Sequence, residues 1–104
     1  MLEAELFAFL ERTADAAFAV TREGQICSWN QAAERLFGYS SADVLNRPCY
    51  EVLDGHGALG TQVCIGDCTV QQCAAQKLDI PDFDLRVKTR SGEKLWVNVS
   101  TLVF

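Results

Sequence analysis

The sequence predicts an α+β domain in which an antiparallel sheet carries short helices on one of its faces. Two segments have the apolar pattern of strand pairs, one over residues 17–29 and one over residues 82–104. Between them, Asn30 precedes a helical run that Gly38 ends. Because 104 residues support one hydrophobic core, we expect a single domain over residues 1–104.

Composition and charge narrow the class of function. The chain is 49% hydrophobic with a net charge of −5, so we expect a folded domain that does not bind nucleic acid itself. No apolar stretch reaches the ~18 residues that cross a membrane. Five cysteines, an odd number, suit a reducing cytoplasm in which thiols stay free or bind metal. One histidine and no nucleophile motif argue against an enzyme.

The N-terminal part predicts a helix and a hairpin. An amphipathic helix is expected within residues 1–12, where it covers the core or pairs with another copy, and its apolar stripe comprises Leu2, Leu6, Phe9 and Leu10. Residues 17–20 and 26–29 form two short strands, and Gly24 permits the turn between them.

The next segment predicts two capped helices. Asn30 is a good N-cap for a helix over residues 31–37, and its inward-facing residues are expected to be Ala33, Leu36 and Phe37. Ser40 and Asp43 have the spacing of a capping box, which opens a short helix through Leu45.

The C-terminal part predicts a helix and a long hairpin. Residues 46–81 are irregular, with a helix expected over residues 69–77. Residues 82–88 and 94–103 alternate apolar and polar side chains around a turn at residues 90–93. This pattern predicts an antiparallel pair with one face on the core.

Two blocks of sequence resemble PAS sensory domains. WNQAAERLFGYS, at residues 29–40, resembles the front half of the family, and RSGEKLWVNVS, at residues 90–100, its late hairpin. The resemblance covers roughly residues 5–104 and implies a five-stranded antiparallel sheet with short helices on one face. The family's central fifth strand follows the late hairpin, but this chain stops at Phe104. We therefore expect a strand from elsewhere or an open edge, with an oligomeric or moderately stable chain.

The cysteine segment resembles a narrower group. RPCYEVLDG and CIGDCTV are similar to PAS domains of bacterial signalling and transcription regulators, which are linked to helix-turn-helix or histidine-kinase output domains. The resemblance carries over to Cys49, Cys64 and Cys68, whereas Cys73 lies beyond it. It implies a homodimeric sensor that controls an output domain outside the chain.

Three interpretations of these thiols stay open. Cys49, Cys64, Cys68 and Cys73 supply four ligands for a metal or iron–sulfur cluster, with His56 as a substitute, but their spacing matches no named metal motif. Cys64 and Cys68 could form a reversible disulfide if Gly66 makes a turn. Alternatively, the thiols only fill space beneath a loop. Cys27 is expected to fill space in its strand in the same way, either in the core or on the surface.

The resemblance also implies a small-ligand pocket between the sheet and the helices. The residues expected near it are Trp29, Phe37, Tyr50, Val52, Phe83, Leu85, Trp96 and Asn98. No cofactor is identified: flavin is disfavoured because the residues after Cys49 lack its phosphate-binding pattern, and haem because His56 lies in a glycine-rich loop. The leading hypothesis is a ligand or redox sensor, and the alternatives are a metal-binding sensor and a ligand-free interaction domain.

Overall fold

Five short helices and four strands form the chain in a computed structural model that describes residues 3–66 and 68–103. In chain order they are α1 (Glu3–Arg12), β1 (Phe18–Val20), β2 (Ile26–Trp29), α2 (Gln31–Phe37), α3 (Ser41–Val44), α4 (Cys49–Leu53), α5 (Thr69–Ala75), β3 (Phe83–Lys88) and β4 (Lys94–Val99). The predicted α+β class is confirmed. The predicted position of Leu2 lies outside the described residues.

Asn30 joins the first three segments of the chain. Its side-chain oxygen accepts hydrogen bonds from the backbone of Ala33 (2.8 Å) and Ala17 (3.0 Å). Its amide nitrogen donates to the carbonyl oxygens of Leu10 (3.0 Å) and Asp15 (2.9 Å). The predicted N-cap is thus confirmed, and the same buried side chain also holds the end of α1 and the approach to β1.

The ends of α2 and α3 follow the sequence signals. Gly38 adopts the left-handed conformation at φ 81° and ends α2, and the predicted capping box of Ser40 and Asp43 opens α3. The predicted inward position of Leu36 is wrong, because Leu36 is 40% exposed. Phe9, in the predicted apolar stripe of α1, is 66% exposed and does not cover the core. Each lies on the solvent side of a short helix that has only a few inward positions.

The strands form two hairpins rather than one sheet. β1 pairs with β2, and β3 pairs with β4, both antiparallel. Among residues 3–66 and 68–103, one edge of β1 and one edge of β4 pair with no other strand. β4 ends at Val99 instead of the predicted residue 103, because Val99 pairs with Phe83, the first residue of β3.

A third, smaller hairpin extends the β3–β4 pair. Residues 55–64, here called the 55–64 hairpin, turn back on themselves, with the Gly57 N–H donating to the Thr61 carbonyl at 2.9 Å. His56 and Arg86 exchange backbone hydrogen bonds at 2.9 Å each. The hairpin therefore lies along the edge of β3 opposite to β4.

The core lies between the helices and the inner faces of both strand pairs. Its buried members are Ile26, Trp29, Ala33, Phe37, Val44, Val52, Leu53, Cys64, Leu85 and Val87. Trp29 is at the centre of an aromatic row, with ring centroids 5.4 Å from Phe18 and 5.2 Å from Phe37. One cysteine is thus a core residue, and the segment around it is the candidate site.

Candidate functional site

Three cysteines come together between α4 and α5. Cys49 is the first residue of α4, Cys64 ends the 55–64 hairpin, and Cys68 immediately precedes α5. Cys49 packs against the core cluster to which Cys64 belongs. Gly66 lies in a turn between Cys64 and Cys68. This set of Cys49, Cys64 and Cys68 is called the thiol cluster below.

The thiols of the cluster interact electrostatically. Burial, with smaller contributions from negative charge on Cys64 and on Cys68, raises the pKa of Cys49 to about 12. Burial is also the main cause that raises the pKa of Cys64, with contributions from Cys68 and Asp54. Cys49 and Cys64 are therefore protonated thiols at neutral pH, and neither is a ready nucleophile.

Cys64 is held tightly by the backbone of Gly55. The Gly55 N–H donates a hydrogen bond to the sulfur, which lowers the pKa of Cys64 against the effect of burial. The Gly55 carbonyl accepts from the N–H groups of Val63 (2.9 Å) and Cys64 (3.1 Å). A Cβ at position 55 would lie 2.7 Å from the Cys64 sulfur and 2.7 Å from Leu85 Cδ1. Only glycine fits here, so the close contact between position 55 and Cys64 depends on the absence of a side chain at Gly55.

The other two cysteines stand apart from the cluster. Cys73 is half-buried within α5 and contributes to neither the Cys49 nor the Cys64 pKa shift, and Cys27 is exposed on β2. Within the part of the chain that the structure describes, no three His, Cys, Asp or Glu side chains converge as a metal site. The described residues therefore give no support to the predicted four-cysteine metal site: Cys73 lies within α5, beyond Cys68, which is the N-cap of the same helix.

The residues predicted to line a ligand pocket divide into three groups. Trp29, Phe37, Val52 and Leu85 are buried and pack in the core, and Phe83 packs half-buried against it. Tyr50 is 39% exposed and lies beside Gly66. The placement of the remaining two residues, Trp96 and Asn98, is corrected by the structure.

Trp96 and Asn98 face away from the core. In β4 the half-buried positions alternate with exposed ones, and Trp96 is 55% exposed. The Asn98 amide donates to the Asp84 carboxylate at 3.0 Å on the same outer face. The reason is the period of two along a strand: once Val97 turns inward, its neighbours turn outward.

Two open grooves lie on the surface, and neither is lined by the thiol cluster. One, of ≈ 490 Å³, lies between the end of α2 and the turn at residues 89–93 and includes Phe37. The other, of ≈ 430 Å³, lies between α1, β2 and α2 and includes Trp29. The side chains expected to surround a ligand are instead packed against one another.

Gly55 is the site residue that sequence reasoning did not identify, and His56 was considered only as a substitute metal ligand in a glycine-rich loop. The structure places His56 half-buried, with its ring Nδ1 3.0 Å from the Asp54 carbonyl oxygen. The available signal was Asp54-Gly55 directly after α4, a pair typical of a tight turn. Nothing in the sequence indicated that this turn returns to β3.

Comparisons with known proteins agree with this architecture. The sequence profile described as the PAS fold matches residues 4–103. The PAS domain of an HTR-like protein from Haloarcula marismortui is similar in structure, with a TM-score of 0.65 and 24% identity, covering 91% of this chain and 77% of that chain. No curated protein matches the sequence. In the described ranges, no helix is both long and apolar enough to span a membrane. The match over almost the whole chain shows that this protein belongs to the PAS fold family, a family of signal-sensing modules.

Proposed function

We propose that this PAS domain registers redox state through the thiol cluster and controls a separate output domain. The observation that supports this most strongly is the convergence of three free thiols at one side of the core, with Cys64 packed closely against Gly55. A ligand pocket has less support, because the predicted pocket residues pack on one another. A metal centre has less support, because no three His, Cys, Asp or Glu side chains among the described residues are arranged to hold a metal ion.

The reaction is thiol–disulfide exchange with a low-molecular-weight disulfide. Cys68 is half-buried and reacts first, since Cys64 is buried and Cys49 is held protonated. Its thiolate attacks one sulfur of the oxidant and releases one thiol. Cys64 then loses its proton to solvent and attacks the Cys68 sulfur, which releases the second thiol. The protein gives up two electrons and two protons, and the oxidant is reduced to two thiols.

Dimerisation and an output domain complete the proposal. The exposed Phe9 on α1 and the unpaired edges of β1 and β4 are apolar or hydrogen-bonding surfaces that a second copy would cover. We infer a homodimer in a reducing cytoplasm, linked to a helix-turn-helix or histidine-kinase domain. The domain itself performs no catalysis and contacts neither nucleic acid nor membrane.

A thiol titration tests the redox proposal. The chain is purified anaerobically and titrated after equilibration with mixtures of reduced and oxidised glutathione. We expect the free thiols to fall from five to three, with a Cys64–Cys68 disulfide in the peptide map. The variants C64S and C68S lose this response, whereas C73S and C27S keep it. An unchanged thiol count in every mixture would refute the proposal.

The same preparation distinguishes a second function. The core is filled by its own aromatic residues, from Phe18 through Trp29 to Phe37, which favours a ligand-free interaction domain. That function predicts five free thiols in all mixtures, no bound metal and no visible chromophore. A thiolate-to-metal absorption band would instead revive the metal-binding sensor.

A further inference from the structure

The 55–64 hairpin connects the thiol cluster with the β3–β4 pair. In the second half of the hairpin, Cys64 closes its base against Gly55 and lies in the core. In the first half, His56, the residue after Gly55, pairs with Arg86 in the middle of β3. Only the bond from Gly55 to His56 separates these two contacts along the chain. A displacement at Gly55 therefore moves the next residue, His56, which is hydrogen-bonded to the edge of β3.

The contact between Cys64 and Gly55 is sensitive to the position of one sulfur atom. The Gly55 N–H donates to that sulfur, and no Cβ-sized gap separates Gly55 from Cys64 and Leu85. Interiors packed this closely transmit displacement rather than absorb it. If the sulfur leaves, the Gly55 N–H loses its acceptor, and a buried N–H without an acceptor is unfavourable.

The contact between the 55–64 hairpin and β3 consists of two short hydrogen bonds. The His56 N–H donates to the Arg86 carbonyl, and the Arg86 N–H donates to the His56 carbonyl, each at 2.9 Å. Arg86 is also the direct cross-strand partner of Trp96 in β4. Both side chains lie on the exposed outer face, and Trp96 is 55% exposed. A shift of Arg86 thus reaches the surface of the domain.

We propose that the 55–64 hairpin transmits the state of the Cys64 thiol to the outer face of the β3–β4 pair, an inference that rests on the redox function proposed above. In the reduced state, Cys64 rests on Gly55 and the His56–Arg86 pair is closed. When Cys64 forms a disulfide with Cys68, its sulfur turns toward α5 and leaves Gly55. The hairpin loosens at Gly55, and the His56–Arg86 pair opens more often.

Amide hydrogen exchange measured by NMR tests the transmission. The full chain is compared in reduced glutathione and in oxidised glutathione. We expect exchange at His56 and Arg86 to accelerate about tenfold on oxidation, since one or two hydrogen bonds are weakened. Exchange at Ala33 in α2 stays unchanged, because Asn30 rather than the hairpin holds it. A disulfide that forms without accelerating exchange at His56 and Arg86 overturns the inference while the redox function stands.

Substitution separates the two ideas without any oxidant. C64A removes the sulfur, so it accelerates exchange at His56 and Arg86 under reducing conditions, and the matched variant C73A does not. C64S, which keeps an acceptor for the Gly55 N–H, gives a smaller increase and provides a milder variant if C64A folds poorly. Equal exchange in C64A, C64S and the unmodified chain overturns the transmission. Accelerated exchange in C64A, together with five free thiols of the unmodified chain in oxidised glutathione, supports the transmission and refutes the redox function.

Discussion

Asn30 and Cys64 both join distant segments, but they do so by different chemistry. Asn30 makes four hydrogen bonds to α1, β1 and α2, and its amide has no second chemical state under cellular conditions. Cys64 joins the 55–64 hairpin to the core through a sulfur that accepts one hydrogen bond and can change its covalent partner. The first junction is permanent, and the second can be rearranged by oxidation.

The largest expected effect comes from breaking the permanent junction. Asn30→Ala leaves two N–H groups and two carbonyl groups without their partner in a buried site. We expect a loss of about 4 kcal/mol in the free energy of unfolding, measured by urea denaturation. Asn30→Asp keeps the two accepting contacts, but its second oxygen faces the Leu10 and Asp15 carbonyl oxygens with no proton to donate, so no recovery of stability is expected. Equal stability of Asn30→Ala and the unmodified chain would contradict the proposed role of Asn30 in joining these segments.

The Gly55 contact is expected to be the next most sensitive. Gly55→Ala places a methyl group 2.7 Å from the Cys64 sulfur and from Leu85, and overpacking of this kind costs about 2–3 kcal/mol. The matched control is Gly57→Ala, whose Cβ would meet nothing nearer than Val63 Cγ2 at 3.6 Å. Denaturation of both variants in reductant provides the measurement. Similar losses in the two variants would show that the Gly55 contact is not special.

Alkaline pH is expected to lower the free energy of unfolding through the thiol of Cys49. The pKa of Cys49 is 9.0 when unfolded and about 12 when folded, so the unfolded state loses its proton first as the pH rises. The stabilisation is complete below pH 9 and is lost progressively up to about pH 12. From pH 8 to pH 10.5 we expect a loss of about 2 kcal/mol attributable to this group.

Cys49→Ser provides the control for this pH dependence. A serine hydroxyl does not titrate in this range, so the variant loses less stability than the unmodified chain between pH 8 and pH 10.5. The measurement is urea denaturation at each pH in reductant. Identical slopes for the two chains would contradict the raised pKa of Cys49.

The smallest expected effect comes from the outer face. Trp96→Ser removes a side chain that is 55% exposed, so the free energy of unfolding should change by only about 0.5 kcal/mol. Leu85→Ala, on the inner face of the neighbouring strand and 3% exposed, should cost about 3 kcal/mol. A large loss for Trp96→Ser would contradict this outward placement and favour the position near a ligand pocket that the sequence predicted for Trp96.

Local signals predicted the front half of the domain well. The cap at Asn30, the stop at Gly38 and the capping box at Ser40 act within a few residues, and all three are present. One prediction failed for a reason of packing. Leu36 has the spacing of an inward residue, yet a short helix leaves it at the boundary with solvent. Phe9 is exposed too, which leaves pairing of α1 with another copy as the open alternative.

The candidate site was predictable in composition but not in arrangement. Its cysteines were evident, and the omission of Cys73 from the closest group agrees with the resemblance that covered only Cys49, Cys64 and Cys68. The role of Gly55 was not evident, since its close neighbours Cys64 and Leu85 are nine and thirty residues away. Sequence spacing carries no information on contacts of that range.

The sequence by itself determined the fold class, the ends of the helices and the faces of the late hairpin, because capping and alternation depend on neighbours a few residues apart. Only the tertiary structure decided that the strands form two separate hairpins, that Cys64 rests on Gly55 and that His56 returns to β3. These features depend on long-range packing, in which several chain segments compete for the same space. The thiols were therefore visible in the sequence, while their connection to the sheet was not.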